Sequence, residues 1–185
     1  MPRISAATLA EHQVLQRQAI INAAVVVLAT GEVTTLDVGT VSRHAGLART
    51  SLYQYFDSLA GLVASVVNYA CEARRNALND VPGDGERAVA EYVSRAFSFA
   101  LSDVGRAERA LTRDALPAPC REQLLQLRAE ARRPLIDLLA DLGHCEPALE
   151  SEIFDAALEQ AATIVIRGCP RESTERALRT LLIHD

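Results

Sequence analysis

The chain of 185 residues contains no tryptophan, one methionine, four tyrosines and four phenylalanines. With hydrophobic residues at 49% and aromatics at 4%, its interior must be built from alanine and branched aliphatics, a composition that suits packed helices. Lysine is absent, so all 19 basic residues are arginine. That reads as a composition bias, although arginine also suits planar phosphate and carboxylate partners. A formal net charge of -5 denies the chain the overall basic character usual in nucleic-acid binders. The four cysteines, Cys71, Cys120, Cys145 and Cys169, lack CxxC spacing, which argues against a disulfide framework and for a reducing cytosol. No apolar run is long enough to span a membrane, the longest lying around Ala23 to Ala29. The first residues lack a basic flank and an apolar core, so no secretory signal is expected, and the chain reads as soluble and cytoplasmic. There is no Gly-rich phosphate loop, nucleophile elbow or HExxH, and no spacing of Ser, His and Asp singles out a triad, so no enzymatic activity is expected.

What is present is concentrated between Val38 and Phe56. Val38, Val41 and Ala45 fall at i, i+3 and i+7, one stripe of a short helix. Asp37 precedes the stripe, where its carboxylate can accept from an orphan backbone N–H. Gly46 follows it, and glycine tolerates the left-handed turn that ends a helix. A second helix is expected from about Ala48 or Arg49, with Leu52 and Phe56 inward at i and i+4. Arg49, Thr50, Ser51, Tyr53, Gln54 and Tyr55 are left for its other faces. Arginine can bond guanine in a bidentate way, glutamine can pair with adenine and a threonine methyl can touch thymine. Hydroxyls suit phosphate oxygens, which position a protein without reading sequence. The pattern fits a helix-turn-helix reading head, and equally an ordinary αα-hairpin. Charge does not separate the two, because residues 1–59 hold four arginines and four acids.

A wider pattern does separate them. Ile20-Ile-Asn-Ala-Ala24, Gly31, Val38-x-x-Val41, Ala45-Gly46-Leu47, Leu52-Tyr53-x-Tyr55-Phe56-x-Ser58 and Leu62 together resemble the TetR family of bacterial transcriptional regulators, from about Arg17 to Val67. The resemblance implies an all-α protein of about nine helices. Residues 1–57 would form a DNA-binding head and residues 58–185 a domain for effector binding and dimerisation. It implies that Arg49, Thr50 and Ser51 approach base edges, that Tyr53 and Tyr55 sit on phosphates, and that Gln54 lies near either. Thr40 would lie close to the DNA backbone at the start of the preceding helix. The implied partners are double-stranded operator DNA, an unidentified small-molecule effector and a second copy of the chain, with no membrane, no metal and no cofactor. The implied function is a repressor released by its ligand. Three departures weaken the expected grip on DNA: Leu59 where the family usually has lysine, Asp37 where serine or threonine is common, and Ala48 in place of a serine cap. Each lost phosphate contact should flatten the salt dependence by about 0.9 in slope. The rival function is a helical module for ligands or proteins in which DNA contact is weak or lost.

Outside the head, helices are expected over 8–30, 58–79, 86–102, 106–115, 119–142, 148–167 and 172–183, with breaks at Pro82-Gly83 and Gly85, Leu116-Pro-Ala-Pro119, Gly143 to Pro147 and Gly168-Cys-Pro170. The helix over 148–167 sets Ile153, Ala156/Ala157, Gln160 and Ile164 along one seam, which could be a dimer interface or simply monomer core. Tyr69, Tyr92, Phe97 and Phe99 are the aromatics available to an effector pocket, and Arg95, Arg109 and Arg113 the cations available to an anionic ligand. Each is also an ordinary core or surface residue in the plainer reading. His144-Cys145-Glu146 carries three metal-capable side chains in a row, but adjacent residues rarely converge on one ion. Cys120 beside Arg121 is the best placed of the thiols for reactivity, against the commoner role of a small buried hydrophobe. Arg3 could reach a minor groove from a terminal arm, though a frayed end is the plainer account.

Overall fold

The computed structural model describes residues 6–31, 36–113, 116 and 118–183; Arg3 and the last two residues of the helix expected over 106–115 lie outside them. Among the described residues the chain is all helix and turn: α1 (Ala6–Thr30), α2 (Val38–His44), α3 (Arg49–Leu52), α4 (Leu59–Leu78), α5 (Gly85–Leu101), α6 (Asp103–Arg113), α7 (Ala118–Ala131), α8 (Arg133–Asp141), α9 (Pro147–Ile166) and α10 (Arg171–Arg179).

Breaks fall where glycine and proline put them. Gly46, Gly83, Gly85, Gly143 and Gly168 all have positive φ. The single helix expected over 119–142 is instead divided, α7 ending at Ala131 and α8 beginning at Arg133. Pro134 is the reason: it has no N–H to give to Glu130, and its ring crowds that carbonyl. Helix α6 starts three residues earlier than expected, because the Ser102 hydroxyl accepts from the Gly105 N–H at 3.1 Å and caps it. Gly105 itself is required by space, since a Cβ there would stand 2.1 Å from the Phe99 carbonyl oxygen. The last helix is shorter than the span of 172–183, closing at Arg179 into a turn in which Leu181 donates to the Leu178 carbonyl.

Two apolar clusters form the interior. The first joins Ile20, Ala24 and Leu28 of α1 to Val41 of α2, Leu52 of α3 and Phe56 just beyond it, and continues into Leu62, Val66 and Cys71 of α4, Leu111 of α6 and Leu124 of α7. The second holds Leu78, Tyr92, Phe97, Leu135, Leu139, Phe154, Leu158 and Leu178. Tyr92 and Phe154 meet there with ring centroids 6.1 Å apart.

A layer of buried charge lies where one cluster gives way to the other. Arg74 of α4, on the turn between Cys71 and Leu78, contacts Glu108 of α6 at 3.4 Å and Asp155 of α9 at 2.5 Å. Arg128 of α7 joins Glu108 at 3.3 Å to Glu159 at 2.6 Å, and Arg132 reaches Glu152 at 3.0 Å and Asp155 at 3.8 Å. Arg74, Glu108 and Asp155 are all buried. Burial pushes the Glu108 carboxyl above its usual range, against the pull of Arg74 and Arg128. Burial acts the other way on Arg74, yet Glu108 and Asp155 outweigh it and hold the guanidinium more firmly charged than usual.

Candidate nucleic-acid interface

The surface of interest begins at Asp37. Its backbone is extended and its carboxylate caps α2, Oδ1 accepting from the N–H of Gly39 at 2.7 Å and of Thr40 at 3.0 Å. Oδ2 accepts from the Thr40 hydroxyl at 2.6 Å. These bonds hold the Asp37 carboxyl below its ordinary value; the Thr40 hydroxyl contributes most, its backbone N–H next, with Gly39 and nearby Arg49 adding to it. The first turn of α2 thus presents a firmly ionised carboxylate, with its donors already engaged.

Helix α2 ends as its sequence demands. Ala45 donates to Val41, and Leu47 reaches back to the Ser42 carbonyl at 2.9 Å. Gly46 takes φ +67 between them, the left-handed conformation that glycine adopts without strain. Helix α3 then makes a single α-turn from Arg49 to Leu52, tightening afterwards into the bonds Gln54 to Ser51 and Tyr55 to Leu52. Leu52 and Phe56 are buried in the first cluster, as their spacing requires. Arg49, Thr50, Tyr53 and Gln54 face outward, Tyr53 being 54% exposed, while Ser51, Tyr55 and Thr40 are half-buried. Arg49 lies across Gly39, where a Cβ would come within 3.3 Å of its Nε. The seven expected contact residues therefore occupy adjoining parts of α2 and the α3 segment.

Arg17 was not legible as part of this surface. It reaches from α1, donating from Nη1 to the Tyr55 carbonyl at 2.6 Å and from Nη2 to Ser65 Oγ of α4 at 3.0 Å. Its guanidinium stacks on the Phe56 ring at 4.2 Å.

The remaining candidates are scattered. Tyr92 and Phe97 are buried in the second cluster, and burial drives the Tyr92 hydroxyl to a raised pKa. Tyr69 is half-buried against the first cluster. Phe99 lines an open groove of about 450 Å³ with Ala77, Ser94, Arg95 and Ser98. A second groove, of about 250 Å³, runs between α4 and α7 past Asn68, Arg75, Leu127 and Glu130. Arg95 bonds Glu91 at 2.8 Å, and Arg109 donates to the Ala100 carbonyl at 2.5 Å; the Arg113 side chain lies outside the described part. The Cys71 thiol is pushed up to about 12 by burial first and Glu108 second. Cys120 is buried too, while Cys145 and Cys169 are exposed. His144 pairs with Glu150, and no group of metal ligands converges among the described residues. No helix among them is long and apolar enough to cross a membrane.

On α9 the stripe runs along the edge of the monomer's core, Ala157 packing against the second cluster. Ile153 is 55% exposed, Ala156 and Gln160 are exposed and Ala157 and Ile164 half-buried, whereas Phe154, Leu158, Ala161 and Ala162 face inward.

No family model matches the chain, and no curated protein matches it by sequence. Its architecture is nevertheless shared by solved structures. A TetR-like transcriptional regulator from Rhodococcus sp. RHA1 superposes with a TM-score of 0.75 at 17% identity, covering 98% of this chain and 96% of that one. The regulator FadR from Bacillus subtilis, solved in complex with stearoyl-CoA, gives 0.72 at 16% identity over 90% of this chain and 99% of its own. PfmR from Thermus thermophilus, a TetR family regulator, gives 0.70 at 15% identity over 88% and 96%. The fold is that of the TetR-family transcriptional regulators.

Proposed function

We propose that this chain is a sequence-specific DNA-binding transcriptional regulator, a cytoplasmic homodimeric repressor that a small-molecule ligand releases from its operator. The observation that carries the reading is the division of the α3 segment. Leu52 and Phe56 anchor it in the core, leaving Arg49, Thr50, Tyr53 and Gln54 facing outward. Arg49 is the side chain best suited to guanine, Thr50 and Ser51 sit beside it for base edges, and Gln54 can serve an adenine or a phosphate. Tyr53 and Tyr55 offer hydroxyls to phosphates. Thr40 adjoins the DNA backbone by position, its hydroxyl proton being given to Asp37.

Two heads must act together, since half-sites lie about 34–36 Å apart. The stripe Ile153, Ala157, Gln160 and Ile164 on α9, of which Ile153 and Gln160 are exposed and Ala157 and Ile164 half-buried, is the seam proposed for the second copy, its small residue Ala157 allowing close packing of two helices. Ligand control is then a population shift: a ligand that prefers the spacing unsuited to DNA weakens binding by no more than that preference. Helix α4 is the proposed lever, because it runs from the head cluster through the charged layer to the second cluster.

The test is an anisotropy titration of the purified chain against duplexes flanking its own coding sequence, at low and moderate salt. Saturable binding that survives competitor DNA and fails in Arg49→Ala/Tyr53→Ala supports the reading. Binding abolished by competitor on every duplex, and unchanged in that double variant, supports instead a module acting through ligands or proteins. The ionised Asp37 on the face of the head is the feature that favours that second reading.

A further inference from the structure

The C-terminal end of the reading segment carries a problem that the sequence of α3 does not solve. The last carbonyls of a helix have no partners within it and need a donor from elsewhere. At Tyr55 that donor is Arg17, 38 residues away, with Nη1 2.6 Å from the carbonyl oxygen. The same guanidinium is held in two further ways. Its Nη2 donates to Ser65 Oγ at 3.0 Å, and its Cζ lies over the buried Phe56 ring, 4.2 Å from the centroid. The Ser65 hydroxyl is itself committed, giving its proton to the Gly61 carbonyl at 3.0 Å, so its lone pair is aimed at Arg17. One planar side chain thus ties α1, the end of the reading segment and the second turn of α4 into a single joint.

From this geometry we infer that Arg17 is a positioning residue for DNA binding: it fixes the carbonyl of Tyr55, and through it the outward aim of Tyr53 and Gln54 and the placement of the half-buried Tyr55, without contacting DNA itself. The inference rests on the DNA-binding reading above. The fork is what the role demands. A guanidinium can donate in two directions at a fixed angle while stacking on a ring, and an ammonium cannot. The bond to Tyr55 is charge-assisted, the stronger class of hydrogen bond.

A surface arginine this close to the reading segment could instead touch phosphate directly, and the salt dependence separates the two roles. A phosphate contact by a cation releases counterions, so losing it flattens the slope of log K against log salt by about 0.9. Neutral tyrosine hydroxyls release none, so loosening Tyr53 and Tyr55 weakens binding while leaving the slope unchanged.

The experiment uses the full chain and the duplex that the wild type binds among those flanking its coding sequence. Arg17→Ala, Arg17→Lys, Ser65→Ala and the Arg17→Ala/Ser65→Ala pair are titrated across salt, with amide exchange of the peptide over residues 53–57 measured in the free protein. The expected result is about tenfold weaker binding for Arg17→Ala, the scale of one charge-assisted hydrogen bond, with an unchanged slope. Arg17→Lys fails to restore it. Ser65→Ala, which lies away from the reading face, is about threefold weaker, and the pair is no worse than Arg17→Ala alone because both act through one joint. Exchange over 53–57 rises in Arg17→Ala. Full rescue by lysine with a slope flattened in alanine would make Arg17 a phosphate contact and overturn the inference. So would unchanged affinity and exchange in all the variants. A wild type that binds no duplex specifically removes the DNA reading itself, a different failure, and amide exchange then still reports whether Arg17 holds the segment.

Discussion

Replacing Arg74 by methionine removes the cation on which Glu108 and Asp155 converge and leaves an uncharged side chain of similar volume. Both carboxylates are buried, and each keeps one further arginine: Arg128 at 3.3 Å from Glu108 and Arg132 at 3.8 Å from Asp155. Breaking a buried pair from one side costs about 3–5 kcal/mol, and the two remaining arginines place this case at the lower end, about 3 kcal/mol. For a chain of this length that corresponds to about 6–12 °C in Tm. The deficit must also depend on pH. Burial holds the folded-state pKa of Glu108 above its unfolded value, so the folded protein binds more protons in that window and stability falls as pH rises through it. Losing Arg74 raises that pKa further and widens the window, so the variant is more penalised at pH 7.5 than at pH 5. Urea unfolding of both proteins at the two pH values measures this, at one protein concentration because self-association of the kind proposed above would be linked to folding. A deficit below about 1 kcal/mol at pH 7.5, or one that is the same at both pH values, would refute the account of this layer.

Further outcomes follow from single features. Gly105→Ala drives a Cβ to 2.1 Å from the Phe99 carbonyl oxygen; because backbone must move, a loss of at least 1–3 kcal/mol, roughly the cost of overpacking, is expected in thermal melts. Ile153→Arg puts a charge on the exposed α9 stripe, and sedimentation should then show monomer at concentrations where the wild type is dimeric. Asp37→Asn keeps an acceptor for α2 but removes the negative charge from the proposed DNA face, so operator binding should tighten, most visibly at low salt. At pH 8, Ellman's reagent should modify the exposed Cys145 and Cys169 in the folded protein and reach Cys71, whose thiol is pushed up to about 12, only on unfolding.

Local signals carried much of this structure into the sequence. The periodicity of Val38, Val41, Leu52 and Phe56 is answered by four buried side chains, and the expected turn glycines take positive φ. Glycine and proline act on their own neighbourhood, so their effects can be read without a fold. Pro134 marks by the same logic the point where the span over 119–142 divides, although the apolar pattern runs on through it. What could not be read were partners. Arg74 shares a stripe with Val67, Cys71 and Leu78, and a charge on an apolar stripe signals a buried ion. Nothing in its spacing, however, says that the answering carboxylates stand 34 and 81 residues onward. Arg17 is the same case, visible as one arginine on α1 but not as the donor to a particular carbonyl. Periodicity assigns faces, and only the packing of helices assigns which faces meet.

The first apolar cluster has a consequence for anyone wishing to transplant the proposed DNA-reading end of this protein. Helix α1 packs more extensively on α6 than on α2 or α4, and the cluster that seats Leu52 and Phe56 extends to Leu111 and Leu124. A graft cut after Phe56 would carry the reading residues but strip the floor from beneath them. A chimera that keeps its specificity would have to bring α4, α6 and α7 along, and the natural place to join a foreign body is the charged layer at Arg74, where arginines and carboxylates could be matched pair for pair across the seam.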